Sequence, residues 1–172
     1  MAQVYVSIGS NIERERNIAA GLDGLAESFG ELTLSSVFES EAVGFTGDHF
    51  YNLVAGFETS LAVGELSREL KAIEDRNGRC RQGPKFSGRT LDIDILTYDD
   101  ACGRIDGVEL PRAEILFNAF VLQPLAEIAP QGLHPLNGLS YGALWQQYDK
   151  QKQRLWAVDF AWQGRRFSRA QV

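Results

Sequence analysis

Residues 78–96 read GRCRQGPKFSGRTLDIDIL. The first half sets four cations, Arg79, Arg81, Lys85 and Arg89, among glycines and a proline, which is loop chemistry. The second half reads as a strand. Successive side chains of a strand face opposite sides, so Leu91, Ile93 and Ile95 take one face and Asp92 and Asp94 the other. The apolar face predicts a core beneath it. The two carboxylates, about 6–7 Å apart, repel each other by roughly 2–3 kcal/mol at an effective dielectric of about 20. Water, flanking cations or a bound divalent ion must offset that repulsion. Mg²⁺ is commonly held by one or two carboxylates plus phosphate oxygens, and the upstream cations suit phosphate charge. The stretch is therefore a candidate site for a magnesium–nucleotide complex. A solvated strand face beside a charged hairpin is the competing reading, because Asp-x-Asp alone is a weak motif.

Working outward, residues 3–8 (QVYVSI) are β-rich and end in a turn at Gly9–Asn11, with Asn11 able to cap the next element. Ile18, Leu22, Leu25, Ala26 and Phe29 share one face of a helix that Gly30 stops. Residues 32–40 and 50–61 read as strands, separated by a glycine-containing loop. Leu66, Leu70 and Ile73 mark a second helix with Gly78 as its stop. After the strand at 90–99 comes a polar segment expected to be exposed. Residues 118–130 form a helix around Pro124, residues 140–151 a short last helix, and the alternation in RLWAVDFAWQG (154–164) allows one extra strand. The order β-α-β-β-α-β predicts an α+β fold of ferredoxin-like type, an antiparallel sheet with helices on one face, plus C-terminal helices. A chain of 172 residues without linker or repeat is expected to form one domain over 1–172.

The bulk numbers narrow the function. Hydrophobic residues make up 44% of the chain, too many for disorder, and a net charge of −6 argues against a general nucleic-acid binder. No apolar run approaches the ~20 residues needed to span a bilayer, and the N-terminus does not resemble a secretion signal. A cytoplasmic protein with no membrane and no nucleic-acid partner is expected. Cys80 and Cys102 read as reduced thiols, and His49 and His134 as ordinary surface or loop histidines without metal-ligand spacing. GxxxxGK[ST] is absent, which excludes a P-loop as the nucleotide-binding mode.

Six segments in order carry a resemblance: VSIGSN (6–11), SSVFESEAVG (35–44), FYNLVAGFETSL (50–61), LKAIEDRNGRCR (70–81), GRTLDIDIL (88–96) and AFVLQPLAEIAP (119–130). Together the set resembles the 6-hydroxymethyl-7,8-dihydropterin pyrophosphokinase family of folate biosynthesis. The resemblance implies a ferredoxin-like fold. It also implies transfer of the β,γ-pyrophosphoryl unit of ATP to the pterin hydroxymethyl group, with two Mg²⁺ ions taking part. It assigns the metals to Asp92 and Asp94, and the triphosphate and its transition state to Arg79 and Arg89. Arg81 corresponds to a mobile-loop arginine and Glu74 to a nucleotide contact, with a solvated helix residue as the alternative for Glu74. Asn52 corresponds to the amide that pairs with the pterin edge, an amide offering donors and an acceptor together. Ser40 stands for a family threonine, and the backbone of Val43 for a pterin contact. Phe50 and Phe120 correspond to an aromatic pair that sandwiches the ring, with plain core packing as the competing reading for each.

The chain departs from the family pattern in three places. Arg112 and Ala113 follow Leu-Pro where histidine and proline are usual, Asn118 replaces an arginine of a catalytic loop, and Phe86-Ser87-Gly88 replaces a bulky residue followed by Gly-Pro. Arg112, close to the lost cation, is the candidate replacement toward ATP. The resemblance gives residues 150–172 no role. Two rivals remain: a pterin- or nucleotide-binding paralogue with weakened transfer, and a ferredoxin-like interaction module without a small-molecule site. Retention of both aspartates disfavours the second, and Asn118 keeps the first open.

Overall fold

The computed structural model describes residues 1–40, 49–77 and 91–170. The expected loop at 41–48, the helix stop at Gly78 and the basic loop through Arg89 lie outside the described residues. In chain order the elements are β1 (Ala2–Ser10), α1 (Arg14–Phe29), β2 (Thr33–Leu34), β3 (Val37–Ser40), β4 (Phe50–Thr59), α2 (Val63–Arg76) and β5 (Asp92–Tyr98). Then come β6 (Gly103–Ile105), β7 (Val108–Leu110), a 3-10 turn (Ala113–Leu116), α3 (Ala119–Ile128) and α4 (Tyr141–Gln147). The chain closes with β8 (Leu155–Val158), β9 (Phe160–Trp162) and β10 (Arg165–Ser168).

The main sheet runs β5-β1-β4-β3-β8, with β2 also on β4, and every pairing is antiparallel. Residues 32–40 do not form one strand. At the break, the Ser35 hydroxyl accepts the Val54 N–H at 2.9 Å, and the Ser36 hydroxyl donates to Glu127 of α3 at 2.8 Å. One backbone bond persists there, Ser35 N–H to Val54 O at 3.0 Å, and serine side chains supply the other contacts.

Helices cover both faces of the sheet, which corrects the expectation of one. On the first face Ile18, Leu22 and Leu25 of α1 and Leu66, Leu70 and Ile73 of α2 seal Val4, Val6, Ile8, Leu53, Ile93 and Ile95. On the second, Val121, Leu122 and Leu125 of α3 and Tyr141 of α4 lie against Val54 and Leu96. The cause is in β4 and β5, whose second face also carries apolar residues that require cover.

Asn11 does not cap α1. It is 3% exposed, and the helix starts after Glu13, which has left-handed φ of 41° and makes no side-chain cap. Gly30 ends α1 as expected, at φ 82°. The polar segment at 99–109 contributes to a hairpin: Asp106 and Gly107, at φ 50° and 81°, form the two-residue turn between β6 and β7. Ile105 and Val108 pack against the first core from that hairpin. His134 is 1% exposed rather than a surface residue, and burial lowers its pKa. The tail supplies more than one strand: β8 pairs with β3, and β9 and β10 form a hairpin that buries Phe160. Among the described residues no helix is long and apolar enough to cross a membrane.

Candidate functional site

Sheet register carries the site. Asp92 pairs with Gly9, Gly9 with Asn52, and Asn52 with Phe38, while Ser40 pairs with Phe50. Cross-strand partners face the same side, and alternation places Asp94 there too. Asp92, Asp94, Asn52, Ser40 and Phe50 therefore share the face that α3 covers. Phe120 reaches the same side from the first turn of α3, and both phenylalanines are half-buried. Gly9 permits a close approach: a Cβ there would stand 2.7 Å from Asn52 Oδ1. Without one, the Asn52 carboxamide leans over β1 while its Nδ2 donates to Ser40 Oγ at 3.2 Å. Asn52 and Ser40 are buried polar groups whose position is thus fixed.

Along β5, the outer strand, runs a cleft of about 510 Å³. Its acids are Glu74, Asp92, Asp94, Glu109 and Glu114, against Lys71, Arg104 and Arg112. Glu74 is not a solvated helix residue. It is 4% exposed, and its Oε2 accepts the backbone N–H of Ile93 at 2.7 Å, fastening α2 to the strand between the two aspartates.

Asp94 is the site carboxylate with a marked pKa shift among the described residues. Its pKa is raised from 3.8 to about 7, first by burial and then by the Asp92 charge, with Arg112 opposing and Glu114 and Glu74 adding. The side chain keeps 32% exposure, so water screens part of this repulsion. Arg112 Nη2 lies 3.6 Å from Asp94 Oδ2 and 2.6 Å from Glu114 Oε1, and its Nε donates to the same Glu114 oxygen at 2.8 Å. The site thus gathers Asp92, Asp94, Glu74 and Arg112 at the cleft and Ser40, Asn52, Phe50 and Phe120 on the adjoining face. Val43, Arg79, Arg81 and Arg89 lie outside the described residues, as do Cys80, Lys85 and residues 86–88.

Two close carboxylates with hard oxygen donors fit Mg²⁺. Among the described residues no group of three or more His, Cys, Asp or Glu side chains could hold a metal ion by itself. A two-carboxylate site completed by phosphate and water oxygens matches that donor set. Sequence reasoning missed Lys71, Arg104 and Glu114, which line the cleft. Arg104 reaches it through the Asp-Gly hairpin, whose turn signal was legible, but nothing in the sequence tied the hairpin to β5.

The family model described as 7,8-dihydro-6-hydroxymethylpterin-pyrophosphokinase (HPPK) matches residues 5–130. The 2-amino-4-hydroxy-6-hydroxymethyldihydropteridine pyrophosphokinase of Aquifex aeolicus is 36% identical over 138 residues, covering 79% of this chain and 86% of that protein. The Pseudomonas aeruginosa protein of the same name is 37% identical over 133 residues, covering 74% and 81%. Among solved structures, wild-type Plasmodium falciparum HPPK-DHPS aligns with a TM-score of 0.68 at 12% identity. That alignment covers 97% of this chain and 50% of that one, so the chain spans about half of that solved protein. The likeness extends the agreement in fold beyond the matched segment. Matched over most of its length by the family model and by relatives above 30% identity, the chain belongs to the 7,8-dihydro-6-hydroxymethylpterin-pyrophosphokinase family.

Proposed function

We propose that the cleft along β5 is where this chain transfers a pyrophosphoryl group from ATP to 6-hydroxymethyl-7,8-dihydropterin. Pyrophosphoryl transfer to hydroxymethyldihydropterin, in folate synthesis, is the function that membership of this family carries. The observation that carries its location is the register row Asp92–Gly9–Asn52. It sets a metal-type carboxylate and an amide of pterin-binding type on one face, with only β1 between their strands.

In this reading Asn52, held by Ser40, pairs with the polar edge of the pterin, with the Val43 backbone as a further contact. Phe50 and Phe120 flank the flat ring. Such positioning brings the hydroxymethyl oxygen toward the β-phosphorus. The new O–Pβ bond forms as the bond from Pβ to the α,β-bridging oxygen breaks, AMP leaves, and the hydroxyl proton is released. Arg112, with Arg79, Arg81 and Arg89 from the basic segment, neutralises phosphate charge, since this chemistry rests on positioning and charge stabilisation. Glu74 supports the nucleotide side by fixing β5. Asp92 and Asp94 would hold two Mg²⁺ ions, which when bound screen the triphosphate and orient it.

The strand order and the β-α-β-β-α-β succession support a ferredoxin-like assignment of the 1–172 unit. A cytoplasmic location belongs to the same reading, and the absence of a nucleic-acid partner accords with the net charge of −6. The test is AMP formation from ATP with and without the dihydropterin. Pterin-dependent AMP is expected, and none at saturating substrates and Mg²⁺ rejects the proposal. One observation favours a catalytically weakened paralogue as the second reading. Asn118, in place of a family arginine, is turned to Glu114 at 2.7 Å rather than left for phosphate.

A further inference from the structure

A chain of hydrogen bonds links the C-terminal tail to the cleft. Gln153, beyond the family-matched 5–130, lies between α4 and β8. Its Oε1 accepts the backbone N–H of Ala119 at 2.7 Å, and its Nε2 donates to Asn118 Oδ1 at 2.9 Å. Asn118 Nδ2 then donates to Glu114 Oε2 at 2.7 Å, and Glu114 Oε1 receives Arg112, the cation beside Asp94.

The polarity of this chain is chemically forced. A backbone N–H can only donate, and an ionised carboxylate can only accept. Between those ends each amide has one orientation, so Asn118 must present its oxygen to Gln153 and its nitrogen to Glu114. Asn118 makes no side-chain cap on α3, although it holds the cap position. Gln153 supplies the acceptor instead, satisfying a helix N–H that would otherwise lack an intrahelical partner. The tail thereby frees Asn118 to orient Glu114.

We propose that Gln153 is a positioning residue for pyrophosphoryl transfer, fixing the Arg112 guanidinium toward the phosphates through Asn118 and Glu114. The proposal rests on the reading of Arg112 as a cation that neutralises phosphate charge. It assigns a task to a segment for which the family pattern has none. It also explains why asparagine suits position 118 here, since arginine has no acceptor for Gln153 Nε2.

The test compares kcat and KM of the full-length Gln153→Ala, Gln153→Glu, Arg112→Ala and Gln153→Ala/Arg112→Ala proteins, each with a thermal melt. Gln153→Ala is expected to lower kcat about 3- to 10-fold, and Gln153→Glu, which keeps the bond to Ala119 beside Phe120, to do so with KM for the pterin unchanged. Gln153→Glu keeps the acceptor for Ala119 but cannot donate to Asn118. It should melt above Gln153→Ala yet share its low kcat. The double variant should be no slower than Arg112→Ala, because the two residues act in series. Wild-type kcat in Gln153→Ala beside a slow Arg112→Ala overturns the proposal alone. So does an equal Gln153→Ala loss in both backgrounds. Wild-type kcat in Arg112→Ala overturns the reading of Arg112 as well.

Discussion

The two faces of β5 divide fold from chemistry at single-residue spacing. Ile93 and Ile95, 5% and 6% exposed, pack into the core built by α1 and α2 and also form part of the cleft wall. Asp92 and Asp94, their immediate neighbours, look into a cleft with five acids and three cations among its described lining residues. One face gains stability from burial, and the other gives some of it up to hold two like charges together. A strand serves this purpose well because alternation fixes the direction of both sets without a loop.

The largest expected effect tests the polar face. Asp92→Ala or Asp94→Ala should lower pyrophosphoryl transfer by roughly three orders of magnitude, the scale of a lost transition-state charge contact of about 4 kcal/mol. The metal-free melting temperature should hold or rise, since the remaining carboxylate loses a repulsive neighbour. Near wild-type turnover at saturating Mg²⁺ would remove both residues from the chemistry.

The apolar face should answer in the opposite currency. Ile93→Ala should cost about 2–5 kcal/mol of unfolding free energy, measured by denaturant titration, while turnover per folded molecule stays near wild type. If turnover collapses in protein that remains fully folded, the two faces are not separable.

Gly9 sharpens the contrast within the polar face. Gly9→Ala sets a methyl against the Asn52 carboxamide, at 2.7 Å from its oxygen before any shift. KM for the pterin should rise about tenfold, the worth of one displaced hydrogen-bonding group, while kcat changes little. A rise in KM for ATP instead would put Asn52 on the nucleotide side.

The smallest effect is a pH dependence. Because the Asp94 pKa is raised from 3.8 to about 7, the folded protein binds more protons than the unfolded chain between those values. Metal-free stability therefore falls as pH rises through that window. Asp94→Asn removes the effect, so its melting temperature should gain on wild type between about pH 5 and about pH 8. The expected gain is a few degrees, limited by the side chain's partial exposure. A constant difference across that range would mean that Asp94 is not destabilised by ionisation.

Much of this was legible in the sequence because it is local. The period of two at 91–96 predicts both faces of β5, and the glycine after Phe29 predicts the end of α1. The alternation at 154–164 predicts β structure in the tail. What stayed hidden is long-range. Glu74 has the same spacing whether solvated or buried, and its burial and its bond to Ile93, nineteen residues away, tell the two apart. The link from Gln153 to Asn118 spans 35 residues between polar side chains of no special pattern. Likewise, α3 is apolar in sequence, but nothing local says which side of the sheet it covers.

The pairing of β8 with β3 has a consequence for how molecules of this protein meet one another. An outer strand with free N–H and C=O groups is a template for a strand of another molecule. From Val37–Val158 to Ser40–Leu155, the tail fills that template on β3 with its own backbone. Ser168 locks it from the far side: its hydroxyl accepts the Val37 N–H at 2.8 Å and donates to Val158 O at 2.6 Å. The tail thus moves the open edge of the sheet from β3 to the four-residue β8. Cut away after α4, it would leave Val37 and Phe38, now 0% and 5% exposed, on a bare adhesive edge. Such a shortened protein would gather into larger species as its concentration rose.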